Sequence, residues 1–113
     1  MTVTDELVPV CRESMLQPER GVAALLPDGT QLAVFRTFDG DVHAIGNVDP
    51  FSGAAVLSRG IVGDRGGVPV VISPVYKQAF DLRTGRCLDD PEASVPAFDV
   101  RRADGIIRVV APS

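Results

Sequence analysis

The stretch SPVYKQAFDLRTG, residues 73–85, decides the fold of this chain. It begins with Ser73-Pro74 directly after an apolar run, continues into the short strand Phe80-Asp81-Leu82, and ends on the turn signal Thr84-Gly85. Because proline cannot donate a hydrogen bond within a sheet, the pattern predicts a loop that leaves the end of one strand and enters the next.

Short runs of β-branched and aromatic residues, separated by turn signals, extend on both sides of this loop. Asp-Gly pairs at 28–29, 39–40 and 104–105 favour tight hairpins, because both positions tolerate positive φ. The predicted strands span residues 21–26, 31–37, 41–45, 68–72, 78–82, 97–101 and 106–110. The pattern predicts an all-β fold of short antiparallel strands, arranged as a sandwich or a small barrel.

Helix is scarce in this pattern. The one candidate lies within residues 13–19 and is a single turn or so, limited by Pro18. The glycine-rich run 63–67 lacks the strand-to-helix context of a phosphate-binding loop, and it is predicted to be a hairpin turn. Some strands alternate only partly between apolar and polar residues, which indicates burial on both faces.

A second long loop, NVDPFSGAAVLSRG at residues 47–60, also follows a predicted strand. Long ordered loops on a β scaffold often carry function. Because both loops leave strand ends, we expect them to meet at one tip of the domain.

Composition excludes several classes of protein. The chain has 113 residues, of which 45% are apolar and 23% charged, and we expect one domain over residues 1–113 with its core at about 7–110. A net charge of −4 argues against a nucleic-acid partner, which would require a basic face. No stretch approaches the ~20 apolar residues of a membrane span. The N-terminal stretch MTVTDELVPVCRES lacks an export pattern, so a cytoplasmic location is predicted.

Cys11 and Cys87 are far apart in the sequence, and His43 is the only histidine. In a reducing compartment we expect two free, partly buried thiols, although a disulfide or a redox switch stays open. His43 lies on a predicted strand without a neighbouring cysteine or second histidine, so we expect a structural or surface role rather than catalysis or metal binding.

The two loops together resemble those of Rieske-type domains. In that family one loop carries Cys-x-His followed by Gly-Ala, and the other carries Cys-Pro-x-His-x-x-x-Phe-Asp followed by Thr-Gly. The two cysteines bind one iron of a [2Fe–2S] cluster and the two histidines bind the other. Here the first loop has Asp49-Pro50-Phe51 with Gly53-Ala54, and the second has Ser73-Pro74-Val75-Tyr76 with Phe80-Asp81. The resemblance covers residues 21–110 and implies a Rieske-like fold with two tip loops.

All four cluster-ligand positions of that family are substituted in this chain, by Asp49, Phe51, Ser73 and Tyr76. Phenylalanine has no lone pair to donate, and serine and tyrosine are poor ligands for a soft iron–sulfur centre. We therefore predict that this chain binds no cluster and no other cofactor or metal.

The runs DPFSGAAVLSRGIVGD, residues 49–64, and SPVYKQAFDL, residues 73–82, closely resemble the small-subunit family of cytoplasmic NAD(P)H-dependent nitrite reductase. This resemblance implies a non-catalytic subunit that binds a large subunit carrying FAD, [4Fe–4S] and sirohaem, in the reduction of nitrite to ammonia. The alternative is a Rieske-like accessory or ferredoxin-type electron-transfer domain of another oxygenase or reductase, including one whose cluster uses Cys11 or Cys87.

The substituted positions have structural interpretations as well. Asp49 is predicted to cap the turn that Pro50 begins, and the hydroxyl of Ser73 to be satisfied locally. Phe51 and Tyr76 either pack against each other as a plug, or one of them stays exposed and anchors a partner. The candidate partner-docking residues are Phe51, Arg59, Val75, Tyr76 and Lys77. The two cations either steer docking towards an acidic patch or are ordinary solvated charges.

Overall fold

The computed structural model describes residues 6–111, which form short antiparallel strands in three sheets. The strands are β1 (Glu6–Arg12), β2 (Arg20–Leu25), β3 (Gln31–Arg36), β4 (Val42–Gly46), β5 (Ile61–Arg65), β6 (Val68–Ile72), β7 (Ala79–Asp81), β8 (Ala97–Phe98), β9 (Val100–Ala103) and β10 (Ile106–Ala111). The terminal sheet has the order β1-β10-β9, the central sheet β2-β3-β4-β8 and the hairpin sheet β5-β6-β7. The predicted all-β fold of short antiparallel strands is confirmed.

The central sheet is buried on both faces, and β3 shows this most clearly. Ala33 and Phe35 pack into the apolar cluster shared with the hairpin sheet, whereas Leu32 and Val34 pack into the cluster shared with the terminal sheet. All four residues are fully buried. Each fully buried large apolar side chain contributes about 1.5–3 kcal/mol. The partial alternation in the sequence therefore reflects a strand with apolar layers on two sides.

The hairpins predicted at the Asp-Gly pairs are present. The Asp-Gly pairs lie in the tight connections β2–β3, β3–β4 and β9–β10, each between antiparallel partners. At the last of these, Asp104 and Gly105 both have positive φ, at 56° and 73°. The run 63–67 enters the β5–β6 hairpin as predicted, with its turn at Gly66-Gly67.

The helical turn predicted within residues 13–19 is present as the 3₁₀ turn Glu13–Met15, since Pro18 follows too closely for a further helical turn. Other boundaries differ from the sequence prediction. The predicted strand 97–101 is divided into β8 and β9, which belong to different sheets. Strands β1 and β5 were missed, because Pro9 and Gly63-Asp64 resemble loop residues. In β1 the pairing register shifts between Pro9 and Cys11, which accommodates the proline.

Residues 1–5 and 112–113 lie outside the described part of the chain, and with them part of the stretch in which the sequence predicts no export signal. Across residues 6–111, no helix is long and apolar enough to cross a membrane.

Candidate functional site at the tip

The two long loops meet, as the sequence predicted. Loop 1 (residues 47–60) connects β4 to β5, and loop 2 (residues 73–78) connects β6 to β7. The hydroxyl of Ser73 in loop 2 donates a hydrogen bond to Oδ2 of Asp49 in loop 1, at 2.5 Å. Both residues are fully buried. These two loops are called the tip below.

Asp49 organises the turn at the start of loop 1. Its Oδ1 accepts a hydrogen bond from the backbone N–H of Phe51 at 2.8 Å, so the predicted turn-capping role is confirmed. Its backbone carbonyl accepts the N–H of Gly53 at 2.7 Å, and its own N–H donates to the carbonyl of Ala54 at 2.9 Å. Loop 1 therefore folds back on itself around a single buried carboxyl group.

Loop 2 is a tight turn closed by its own backbone. The N–H of Ser73 donates to the carbonyl of Gln78 at 2.9 Å, and the N–H of Lys77 donates to the carbonyl of Ser73 at 3.1 Å. The Ser73 hydroxyl also accepts the N–H of Val75 at 3.3 Å, which is the local contact predicted from the sequence. Lys77 has a φ of 67°, in the left-handed region that favours glycine.

The two aromatic side chains of the tip do not form the predicted plug. Phe51 packs against Phe80 of β7, with ring centroids 6.3 Å apart and an interplanar angle of 53°. Tyr76 is 58% exposed. Phe80 is fully buried and already offers Phe51 an apolar surface, so the space beneath loop 1 is filled without Tyr76. The other possibility considered from the sequence, one exposed aromatic ring, describes Tyr76.

The outer surface of the tip combines apolar and basic side chains. Val75 and Tyr76 are exposed and follow each other in loop 2, beside the exposed Lys77, and Arg59 is exposed at the end of loop 1. The only acidic residue in either loop is Asp49, which is buried. Within residues 6–111, neither cation of the tip takes part in a salt bridge. The exposed charge of the tip is therefore positive on a chain whose net charge is −4.

The side chains at the four ligand positions do not fit a [2Fe–2S] cluster. Asp49 and Ser73 direct their oxygen atoms to each other and to backbone N–H groups. Phe51 has no donor atom, and Tyr76 offers a phenol where the family has an imidazole. In the described part of the chain, no group of three or more His, Cys, Asp or Glu side chains could hold a metal ion.

A cleft that the sequence did not predict lies at the other end of the molecule. It has a volume of about 560 Å³, and its lining includes His43, Asp39, Asp41, Asp64 and Arg83. Burial lowers the pKa of His43, and the nearby carboxyl groups of Asp41 and Asp39 oppose this shift. β4 begins at the cleft and ends at loop 1, so the two features occupy opposite ends of one strand.

The two cysteines are free thiols in different apolar clusters. Cys11 in β1 packs against the cluster between the central and terminal sheets, whereas Cys87 is buried in the cluster between the central and hairpin sheets. Burial raises the pKa of the Cys11 thiol. The central sheet separates the two side chains.

Comparison with known proteins identifies the class to which this fold and tip belong. The sequence profile of the Rieske-like [2Fe-2S] domain matches residues 6–110, and the chain therefore belongs to this family of domains.

More narrowly, the chain is a member of the family of nitrite reductase small subunits. It is 42% identical over 101 residues to the nitrite reductase (NADH) small subunit of Escherichia coli strain K12, a match that covers 88% of this chain and 93% of that protein. It is also similar to a crystal structure described as an NADH-dependent nitrite reductase small subunit from Mycobacterium tuberculosis. That similarity has a TM-score of 0.92 and 55% identity, and it covers 96% of this chain and 97% of the other.

A third relative places the same kind of sequence inside a longer chain. The nitrite reductase [NAD(P)H] large subunit of Klebsiella oxytoca is 43% identical to this chain over 100 residues. The match covers 88% of this chain but only 10% of that protein.

Proposed function

We propose that this chain, as one Rieske-like domain over residues 1–113, is the non-catalytic small subunit of an assimilatory NAD(P)H-dependent nitrite reductase. It binds a large subunit, which we expect to carry FAD, [4Fe–4S] and sirohaem, and supports the reduction of nitrite to ammonia. The observation that carries this proposal is the Klebsiella oxytoca relative, in which a sequence of this kind is covalently part of a large subunit. A domain fused to the large subunit in one organism is a candidate for association with it in another. The pairing is expected in the cytoplasm.

The proposed role requires no iron–sulfur cluster in this chain. Support comes from the chemistry of the four ligand positions, which offer no thiolate and no imidazole. It also comes from the hydrogen bonds that already occupy Asp49 and Ser73. The redox centres are assigned to the partner, and this chain contributes a binding surface.

The tip is proposed as the surface that docks the large subunit. Exposed aromatic side chains are frequent anchors of protein interfaces, and Tyr76 stands beside the exposed Val75. The half-buried ring of Phe51 forms the base of this surface on Phe80. Lys77 and Arg59 add positive charge, so the complementary patch on the large subunit is expected to be acidic.

Nitrite-dependent oxidation of NADH and NADPH by the purified large subunit, measured with increasing amounts of this chain, tests the proposal. The rate is expected to rise and to saturate with the wild-type chain. Tyr76→Ser is expected to shift the saturation to higher concentrations, whereas His43→Gln, in the cleft at the opposite end, is a matched control that leaves it unchanged. A large subunit that is fully active alone, and unaffected by this chain, would contradict the proposal.

The same preparation distinguishes the ferredoxin alternative. An electron-transfer domain would contain stoichiometric iron after anaerobic purification, with visible absorbance from its cluster. The proposed subunit is colourless and iron-free.

A further inference from the structure

We propose that the hydrogen bond between Asp49 and Ser73 is a cross-loop latch that holds the docking surface in its binding conformation without a metal. This inference rests on the proposed function only for the role of the tip as the surface that docks the large subunit. The latch itself is a property of the isolated chain and can be tested there.

The geometry assigns this role to one contact. Among the hydrogen bonds within residues 6–111, the bond from Ser73 Oγ to Asp49 Oδ2 is the only one that joins loop 1 to loop 2. The two residues are 24 positions apart in the chain. Without this bond, each loop is closed by its own backbone hydrogen bonds, and only packing remains between the two.

The Asp49 carboxyl group divides its two oxygens between the loops. Oδ1 fixes the N–H of Phe51 and so the turn of loop 1, whereas Oδ2 accepts the hydroxyl of Ser73 and so fixes the start of loop 2. The same hydroxyl accepts the N–H of Val75. One chain of hydrogen bonds therefore runs from Phe51 to Val75 through two fully buried side chains.

Burial of Asp49 and Ser73 favours the hydrogen-bonded arrangement of the two loops over a separated one. A buried polar atom that loses its partner keeps the desolvation penalty and gains nothing in return, so the bond is strongly favoured over separated loops. Val75, Tyr76 and Lys77 follow Ser73 directly, and Phe51 lies two residues after Asp49. Holding Ser73 on Asp49 therefore fixes the relative position of the residues proposed to dock the large subunit, which lowers the entropic cost of binding.

Two variants test the latch in graded fashion. Ser73→Ala removes the hydroxyl and leaves Oδ2 of Asp49 without its partner. Asp49→Asn keeps an oxygen for the N–H of Phe51 and offers an amide N–H to Ser73, so it retains a cross-loop bond of reversed direction. Asp64→Ala is the matched control, because Asp64 accepts the N–H of Gly67 at 2.8 Å in the β5–β6 turn, at the cleft end of the molecule.

Hydrogen exchange of the isolated chain is the first measurement. Ser73→Ala, a change in loop 2, is expected to accelerate exchange of the Phe51 amide in loop 1 at least tenfold. Asp49→Asn is expected to accelerate it less, and Asp64→Ala not at all. If Ser73→Ala leaves the amides of loop 1 unchanged, or if Asp49→Asn equals or exceeds it, the latch is contradicted. Should Ser73→Ala fail to fold, Ser73→Cys, whose thiol is only a weak donor, takes its place, and exchange of the Phe51 amide no faster than in Asp64→Ala would contradict the latch.

Affinity for the purified large subunit is the second measurement. We expect Ser73→Ala to weaken binding about tenfold, Asp49→Asn to weaken it less and Asp64→Ala to leave it unchanged. Faster exchange in loop 1 with unaltered affinity would overturn the role of the latch in docking. If the wild-type chain does not bind the large subunit, the proposed function fails, and the exchange data still decide whether the latch exists.

Discussion

Among single residues, Lys77 shows most clearly a side chain that occurs where the backbone conformation favours glycine. Its φ of 67° suits glycine, and in L-residues this conformation costs about 1–2 kcal/mol. Within residues 6–111, the only hydrogen bond of the ammonium group is a long one of 3.4 Å to the carbonyl of Pro74, and the side chain is exposed. The fold therefore gains little from a lysine here, which agrees with a role in docking.

Lys77→Gly is therefore expected to weaken binding without loss of stability. Stability is expected to stay the same or to rise by up to about 1 kcal/mol, because relief of backbone strain is partly offset by the entropy of the unfolded chain. Affinity for the large subunit is expected to fall about three- to tenfold, with a weaker dependence on salt. Thermal unfolding and titration at low and high salt measure the two effects.

Lys77→Arg is the control for charge, and it is expected to bind as the wild type does. A Lys77→Gly chain that binds with unaltered affinity would remove Lys77 from the docking surface. A clear loss of stability would show that the lysine supports the fold instead.

Gly85 lies where neighbouring backbone leaves no room for a side chain. It has a φ of 80°, and a Cβ there would lie 1.9 Å from the carbonyl oxygen of Val95. Gly85→Ala is expected to destabilise the fold by about 3 kcal/mol or more, since strain and a backbone clash add. Gly29→Ala, at a φ of 92° with nothing within 4 Å, is the control and should cost about 1 kcal/mol. Equal losses of the free energy of unfolding, measured in urea, would contradict this account.

At the scale of elements, Asp89 joins the two outer strands of the hairpin sheet. Its Oδ2 accepts a hydrogen bond from the N–H of Ala79 in β7, and its Oδ1 accepts one from the guanidinium of Arg65 in β5, both at 2.8 Å. The backbone N–H of Ala79 lowers the pKa of Asp89, and the guanidinium of Arg65 lowers it further.

The lowered pKa of Asp89 predicts the direction of a pH effect. A carboxyl group with a depressed pKa in the folded state contributes stability that is complete above its unfolded pKa of about 3.9. The contribution is lost as pH falls through the lower folded pKa. The difference in free energy of unfolding between the wild type and Asp89→Asn should therefore be larger at neutral pH than in strong acid. Urea unfolding across this pH range measures it.

Asp99→Asn is the matched control for this experiment. Asp99 is exposed, and its side chain makes no hydrogen bond within residues 6–111. Its replacement should alter stability little at any pH. If the difference in free energy of unfolding between the wild type and Asp89→Asn did not depend on pH, the negative charge of Asp89 would not contribute to stability.

The elements that the sequence predicted are those defined by local chemistry. Each Asp-Gly hairpin has a glycine with positive φ in its turn, a local feature of the sequence, so the positions of these hairpins could be predicted. Strand β1 could not be, because it exists through pairing with β10 at the other end of the chain, across a register shift at Pro9. The single helical turn predicted within residues 13–19 is present as the 3₁₀ turn Glu13–Met15, because Pro18 limits the helix as the sequence indicated.

In the tip, too, only contacts between residues close in sequence could be predicted. Each loop and its local capping could be inferred from Asp49-Pro50 and Ser73-Pro74, since those contacts span two residues. The contact between Asp49 and Ser73 could not be inferred, because it depends on how the central and hairpin sheets bring the ends of β4 and β6 together. The pairing of Phe51 was wrong for the same reason, since Phe80 reaches the loop from a neighbouring strand.

At the scale of the whole molecule, charge is distributed unevenly between two ends. The tip carries exposed Arg59 and Lys77. The cleft at the opposite end is lined by four acidic residues and one arginine, namely Glu19, Asp39, Asp41, Asp64 and Arg83, so its net charge is negative. Such a distribution orients a molecule as it approaches an acidic partner. Association with the large subunit should therefore slow with increasing salt.

Two substitutions at opposite ends of the molecule distinguish the effect of tip charge on the association rate from the effect of net charge. Arg59→Gln at the tip is expected to reduce the association rate severalfold and to flatten its salt dependence. Asp41→Asn at the cleft reduces the negative charge by one unit and should change the rate little. Stopped-flow association rates at several ionic strengths measure both. If net charge and not the tip governed the encounter, the two variants would change the rate by similar factors in opposite directions, slower for Arg59→Gln and faster for Asp41→Asn.

The most direct test of a metal-free docking subunit is sedimentation of the purified large subunit with this chain, after the iron content of the chain has been measured. We expect the iron-free chain to form a complex, the double variant Val75→Ser/Tyr76→Ser to prevent it, and His43→Gln to leave it intact. Stoichiometric iron in the chain, or a complex that forms equally well without the two exposed tip side chains, would contradict the proposal of a metal-free docking subunit.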